Sequence, residues 1–476
     1  MISISYKDCS FSYKGKTVLS NLSFSIAEEQ HYGIIGPIGS GKTMLLKSLK
    51  GLLPLIAGKR TFIDQKEQLN PYEFSLISEL VEFSESNKYF RPKQHFYQQR
   101  YQSLEDDESR SLLVKDYLKV QGIDIADNSG ILKRAKITEL FNRKLIHISS
   151  GQRKRLQLAI AITKKPKVLM LDFPYTGMDV PTRNEMNVWL EEVSNFYDIK
   201  LIIVSNQSDL PSFITGRIEL EGTRTLDELK VKNALSTLQK LYQNQNNDYA
   251  FDNAIHMQGV ALGYGNHSIL KSLNWKVSRG ELVGLQGENG SGKSSLLSLI
   301  YGDNPLAYNK EIYLFDKKRG TGESIWDIKK NIGFVSSEFH LYMSDNITSA
   351  KLIATGYFDQ LFIPRTLTDR EEESIDLYLT YFGVEDLRER YFDQISIGEQ
   401  RLVLLIRALI KNPPLLLLDE PYHCFDERTK KGANALLKST IETTKNTLVF
   451  ISHDLDSMPE IIERNYTLAD GRIEEI

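Results

Sequence analysis

The chain is poor in cysteine, with only Cys9 and Cys424 among 476 residues, one in each half. Two lone cysteines make no disulfide framework, and small buried hydrophobes are their expected role. Long apolar runs are also missing. The longest, such as Leu415 to Leu418, fall far short of the roughly 20 residues needed to span a bilayer. Neither sign of charge dominates: 59 basic residues against 62 acidic ones leave a net charge of -3. No overall basic field therefore draws the chain onto nucleic acid or an anionic membrane. The start, Met1-Ile2-Ser3-Ile4-Ser5-Tyr6, alternates like a strand and lacks the basic head and apolar centre of a signal peptide. A cytoplasmic location is expected. A role at the inner face of a membrane would need another chain to supply the spanning helices.

What is present is written twice. A chain of 476 residues is too long for one hydrophobic core, so two domains are expected, and internal repetition bears on how they arose. Gly36-Pro37-Ile38-Gly39-Ser40-Gly41-Lys42-Thr43 recurs as Gly287-Glu288-Asn289-Gly290-Ser291-Gly292-Lys293-Ser294. Tyr13 and Tyr264 precede the two copies, and both pairs, Lys42 with Lys293 and Tyr13 with Tyr264, are 251 positions apart. Ser149-Ser150-Gly151-Gln152 matches Ser396-Ile397-Gly398-Glu399, and Val168 to Asp172 matches Leu415 to Asp419, each 247 positions apart. Four motifs in one order at nearly constant offset mark a duplication.

Each half carries the same coarse pattern. Buried strands, Tyr32 to Ile35 and Leu282 to Leu285, lead into the glycine loops, and helices from Met44 to Lys50 and Ser295 to Tyr301 follow. Further strands end at Asp172 and Asp419 and near Ser205 and Ser452. Strands alternating with helices predict an α/β fold. Two P-loop domains in tandem are expected, each a mixed-sheet core with a helical subdomain, at residues 1–222 and 254–476. The join, 223–253, reads as a helix from Leu226 to Tyr242 and then a polar loop, Gln243 to Asp248.

A glycine loop between a strand and a helix lets the backbone curl around phosphates, and the helix N-terminus adds favourable partial charge. Gly36, Gly39, Ser40, Gly41, Asn289, Gly290, Ser291 and Gly292, with Gly287 at the loop's start and Ser295 just past it, would line these cradles. Lys42 and Lys293 would reach the β- and γ-phosphates of ATP, and Thr43 and Ser294 would place hydroxyls on Mg²⁺. Asp172 and Asp419, at strand ends in register with the loops, would reach the metal through its water shell. The bland alternatives are a glycine turn without ligand and an ordinary strand terminus.

Ser149-Ser-Gly-Gln152 and Ser396-Ile-Gly-Glu399 resemble the signature, usually written LSGGQ, of the ATP-binding-cassette (ABC) ATPases. At a helix N-terminus such a serine and glycine amide form a further anion site. The resemblance implies that cassettes pair head to tail, so that each signature faces the ATP held by the opposite glycine loop. It implies that Tyr13 and Tyr264 stack on adenine, with a core strand tyrosine as the alternative reading. It also implies that Asp179 and Asp426 link the two sites across the pair. In the family a glutamate after the metal aspartate polarises the attacking water, and a switch histidine contacts the γ-phosphate. The second half has both, Glu420 and His453. The first has Phe173 and Asn206, 247 positions earlier in each case. Phenylalanine accepts no proton, and losing general-base help costs roughly 10²- to 10⁴-fold in rate. A retained binding site with impaired hydrolysis is expected in the first half; inconsequential drift is the alternative.

The active site would thus combine Lys293, Ser294, Asp419, Glu420 and His453 with Ser149, Gly151 and Gln152. The weak one would combine Lys42, Thr43 and Asp172 with Ser396 and Gly398. Neither Ile332 to Glu338 nor Leu80 to Ser86 has the glutamine that couples many family members to a permease. The whole chain is similar to tandem ABC ATPases of the ModF/PhrA type, through Ile332-Gly-Phe-Val-Ser-Ser-Glu338, Ala354-Thr-Gly-Tyr-Phe-Asp359 and Ser396-Ile-Gly-Glu-Gln-Arg401. Their naming associates them with molybdate uptake or DNA photorepair. An ATP hydrolase driving a partner protein, a membrane permease foremost, is the leading expectation. A transport-independent ATPase acting on nucleic acid or the ribosome is the alternative. The basic, aromatic stretch Lys88 to Tyr101 speaks for it, although Glu105 to Glu108 directly after favours a plain solvated face.

Overall fold

The computed structural model describes residues 2–83, 111–206, 209–222, 224, 227–243, 250–264, 267–336, 343, 346–360, 362–453 and 458–476. The stretch Lys88 to Tyr101, the acidic run after it, the polar loop Gln243 to Asp248 beyond its first residue, Ser84 to Ser86 and Ser337-Glu338 lie outside the described residues. The chain separates into two compact units. The described residues up to Gly222 form the first, and those from Arg224 to Ile476 form the second.

In the first unit, strands β1 (Ile2–Tyr13), β2 (Lys16–Ile26), β4 (Leu55–Asp64) and β5 (Glu67–Leu69) make an antiparallel sheet in the order β2-β1-β4-β5. Strands β3 (Tyr32–Ile35), β6 (Ser78–Glu82), β7 (Val168–Asp172), β8 (Lys200–Val204) and β9 (Gly216–Glu219) form a second, all-parallel sheet in the order β6-β7-β8-β3-β9. The residues of β3, β7 and β8 are buried throughout. That explains their near-continuous apolar composition, because a parallel sheet is covered on both faces. Lys200 at the start of β8 and Asp172 at the end of β7 are the polar exceptions. The role of Lys200 is structural: its ammonium donates to the carbonyls of Ala27, Glu28 (2.9 Å) and Gln30 (2.9 Å), closing the turn before β3.

The second unit repeats this plan. Strands β10 (Asn253–Tyr264), β11 (His267–Ser278), β13 (Glu311–Leu314) and β14 (Lys317–Lys318) form the antiparallel sheet β11-β10-β13-β14. Strands β12 (Leu282–Gln286), β15 (Ile332–Val335), β16 (Leu415–Asp419), β17 (Thr447–Ile451), β18 (Arg464–Ala469) and β19 (Arg472–Glu475) make the sheet β15-β16-β17-β12-β18-β19. It is mixed, since the hairpin strand β19 runs antiparallel to β18.

The helix expected in the join runs from Glu228 to Gln243 and belongs to the second unit. Its buried face, Ala234, Leu238 and Tyr242, packs toward helices Asp369–Phe382 and Glu427–Thr444. Gln239 donates to Ser439 at 2.7 Å, Arg370 reaches the Leu241 carbonyl at 2.7 Å, and the hydroxyls of Tyr242 and Tyr378 meet. Burying a leucine such as Leu238 contributes about 1.5–3 kcal/mol, so this helix is part of a core rather than a loose tether. Cys9 and Cys424 are both buried free thiols. Among the described residues no helix is long and apolar enough to cross a membrane.

Candidate functional site

In an open parallel sheet, ligands bind beyond the carboxyl ends of the strands. In the first unit β7, β8 and β3 are neighbours, with Asp172 opposite Val204 and Val204 opposite Ile34. That pairing brings together the glycine loop after β3, Asp172-Phe173 after β7 and Ser205-Asn206 after β8. In the second unit Asp419 pairs with Ile451 and Ile451 with Leu285. The loop after β12, Asp419-Glu420 and Ser452-His453 therefore converge in the same way. The motifs that the sequence spreads over more than 160 positions meet at one sheet edge in each unit.

Both glycine loops open helices, at Lys42 and at Lys293, two residues before the starts read from the sequence. The residue before each lysine is a left-handed glycine, Gly41 at φ 92° and Gly292 at φ 105°. A side chain there would be strained and would also collide: a Cβ on Gly41 would come within 2.6 Å of Leu19. Lys42 donates to the carbonyls of Gly36 (2.6 Å) and Pro37 (2.8 Å), and Lys293 does the same to Gly287 and Glu288 (2.8 Å). Each ammonium is thus folded over its own loop. The Ser40 and Ser291 hydroxyls are buried within the loops without a hydrogen-bond partner. Buried polar groups are rarely left so, and an anion in the cradle would satisfy them. The residues present therefore fit a nucleotide phosphate chain.

Thr43 donates to Asp172 Oδ2 at 2.9 Å, tying the glycine-loop helix to the strand end. The other oxygen, Oδ1, is buried and unpartnered. Burial raises the Asp172 pKa to about 6, against the lowering effect of the Thr43 hydroxyl. A hydroxyl and a carboxylate form a hard oxygen donor pair, which fits Mg²⁺ completed by phosphate and water oxygens. Asp419 is likewise buried at the end of β16, in the unit that holds Ser294.

The residue after each aspartate distinguishes the two sites. Glu420 and Phe173 share a left-handed backbone, φ 49° in both. Each amide donates to the last residue of the neighbouring strand at 3.0 Å, Glu420 to Ile451 and Phe173 to Val204. The strained bend is kept while the chemistry differs. Glu420 Oε1 accepts the His453 amide at 2.6 Å, and the His453 ring Nδ1 lies 3.2 Å from the Gly287 carbonyl. Burial, with the adjacent Asp419 charge second, raises the Glu420 pKa to about 8. In the first unit the Phe173 ring sits 5.8 Å from the Lys42 ammonium. Asn206 turns to Asp209 at 3.4 Å, which also pairs with Arg183 at 2.6 Å.

Both signature motifs form capping boxes. Ser149 accepts the Gln152 amide while the Gln152 side chain accepts the Ser149 amide, and Ser396 and Glu399 do the same. The next turn of each helix holds a basic residue that sequence reasoning passed over. Lys154 is buried and donates to the carbonyls of Pro174 (3.1 Å) and Thr176. Arg401, at the equivalent position, is buried and donates to the Ser336 carbonyl at 3.0 Å. Their shared offset of 247 positions was the available signal. Asp179 and Asp426 cap helices Val180–Tyr197 and Glu427–Thr444, accepting the amides of Thr182 (2.9 Å) and Thr429 (2.8 Å). Tyr13 is 39% exposed at the end of β1, which sets aside the core alternative for that ring. The side chain of Tyr264 lies outside the described residues.

The family model described as ABC transporter matches residues 19–176 and 270–423. The chain is 30% identical to the ABC transporter ATP-binding protein ModF of Escherichia coli over 90% of this chain and 89% of that one. An uncharacterized ABC transporter ATP-binding protein of Schizosaccharomyces pombe is 29% identical over 96% of both chains. A solved dimeric ATP-binding cassette bound to ADP and Pi resembles 47% of this chain over 97% of its own, at 26% identity and a TM-score of 0.41. With a family match in each half and a relative aligned over nearly its whole length, the chain belongs to the ABC transporter family, as a tandem ABC ATPase that binds and hydrolyses ATP.

Proposed function

We propose that the two cassettes pair head to tail within one chain, hydrolyse ATP at one composite site and hold it at the other, and so drive a partner protein. The observation that carries this is the contrast at one bend that the two units share. Glu420 is held by the His453 amide at 2.6 Å, where the first unit has Phe173 and an Asn206 turned to Asp209.

At the working site Lys293 and the loop amides bind the β- and γ-phosphates, and Ser294 and Asp419 hold Mg²⁺, which when bound neutralises phosphate charge. Ser149, Gly151 and Gln152 come from the opposite signature, and Tyr264 stacks on adenine. Glu420 accepts a proton from the attacking water as its oxygen bonds to the γ-phosphorus and the bond to the bridging oxygen breaks. The raised pKa makes the ionised Glu420 carboxylate a stronger base than an ordinary glutamate. His453 positions the carboxylate through its backbone N–H and stands by the γ-phosphate. At the holding site Tyr13, Lys42, Thr43 and Asp172 bind ATP and Mg²⁺ against Ser396 and Gly398. With no base at Phe173, ATP stays intact and keeps the pair together.

The partner that fits best is a transport permease, because the E. coli relative is named an ABC transporter ATP-binding protein. Molybdate as cargo rests only on the resemblance to the ModF/PhrA type. Quenched-flow counting tests the two-site scheme: two ATP bound per chain and one phosphate released in the first turnover. Two phosphates released at equal rates would refute it.

A further inference from the structure

The signature of the second cassette departs from that of the first at two positions, Ile397 for Ser150 and Glu399 for Gln152, and only the second changes the charge. Gln152 is neutral, whereas Glu399 carries a carboxylate at the mouth of an anion site. Glu399 is 1% exposed, and a buried charge needs a partner. Its Oε2 receives the Ser396 amide at 2.8 Å and the Ser396 hydroxyl at 2.8 Å. Its Oε1 receives Arg224 Nη2 at 2.6 Å. Arg224 stands two residues past Gly222, at the start of the join, and also grips Asp386 through Nε (2.8 Å) and Nη2 (2.9 Å). Asp386 is shared with Arg390 at 3.3 Å, and Arg390 lies 3.9 Å from Glu399. Two guanidiniums thus balance two carboxylates, and Arg224 makes the short contact to Glu399.

We propose that Arg224 is a positioning residue for ATP binding at the first cassette: it neutralises Glu399, so that the helix N-terminus at the Gly398 amide can receive a phosphate. This rests on the head-to-tail reading above. A helix N-terminus attracts one anion, and an uncompensated carboxylate already seated there repels a second. ATP carries one more negative charge than ADP, so ATP suffers more from that repulsion. A connecting residue just after the first cassette thereby determines whether the second cassette's signature accepts the first cassette's nucleotide.

Equilibrium binding of ATP and of ADP to the full chain tests this, with thermal melting of every variant as the folding control. Arg224→Met is expected to weaken ATP binding at the first cassette about tenfold, or about 1.4 kcal/mol, with ADP binding unchanged. Glu399→Gln in the same chain removes the charge and restores ATP binding, and Arg224→Lys retains most of it. Equal losses for ATP and ADP without rescue would show a merely structural arginine and overturn the proposal. So would unchanged ATP binding in Arg224→Met while Gly398→Asp still abolishes the ATP preference. If Gly398→Asp has no effect either, the head-to-tail reading fails and takes this proposal with it.

Discussion

The Glu420 carboxylate and the His453 backbone N–H are joined by a 2.6 Å hydrogen bond between the ends of two adjacent parallel strands. That bond fixes the proposed base relative to the proposed switch residue, whose ring in turn lies against the glycine loop at the Gly287 carbonyl. Three elements that are distant in sequence therefore share one local geometry. A displacement of any one is felt by the others.

The first unit keeps the same bend at Phe173, with the same φ and the same amide bond. Restoring the side chains should therefore restore chemistry. In a Glu420→Gln background, Phe173→Glu with Asn206→His should raise phosphate release at least about tenfold, or about 1.4 kcal/mol in the barrier. Phe173→Glu alone should recover less, because Asn206 cannot replace the ring. Steady-state phosphate assays on the three variants separate these outcomes.

Lys42 folds over its own loop through the Gly36 and Pro37 carbonyls. Lys42→Ala removes a phosphate-binding charge from the site proposed only to hold ATP. Equilibrium binding should show nucleotide occupancy of the first cassette falling about tenfold or more. Single-turnover rates of chains saturated with ATP should change much less. A larger loss in rate than in occupancy would reverse the assignment of the two sites.

Lys200 is a structural cation, closing the turn before β3 through three carbonyls. Lys200→Met strips those acceptors of their donor and should destabilise the first unit by about 1–3 kcal/mol, read by urea unfolding. Burial lowers the Lys200 pKa to about 8. Between that value and the ordinary lysine range the unfolded chain binds more protons than the folded one, so this residue makes stability rise with pH there. Relative to Lys200→Met, the native protein should gain stability as the pH rises above about 8. A constant difference across that range would contradict the assignment.

Much of this was legible in the sequence because the duplicated motifs hold their spacing. The strand Tyr32–Ile35, the strand ends at Asp172 and Asp419 and the burial of both cysteines are as the sequence suggested. The helix starts were read late, because Lys42 and Lys293 look like loop residues although each follows a left-handed glycine that begins the helix. The linker helix was visible as a helix, but its packing was not, since Leu238 and Tyr242 do not name the helices they meet. Arg224 was invisible for the same reason. It lies 162 and 175 positions from the carboxylates it binds, and spacing carries no information about such a contact.

The central claim is that one carboxylate, Glu420, supports hydrolysis for the whole chain. Glu420→Gln keeps a group that can accept the His453 amide and removes the base. Single-turnover phosphate release should fall by about 10²- to 10⁴-fold, with ATP still bound and the nucleotide trapped. Release within about tenfold of the native rate would show that another group activates the water and would contradict the account.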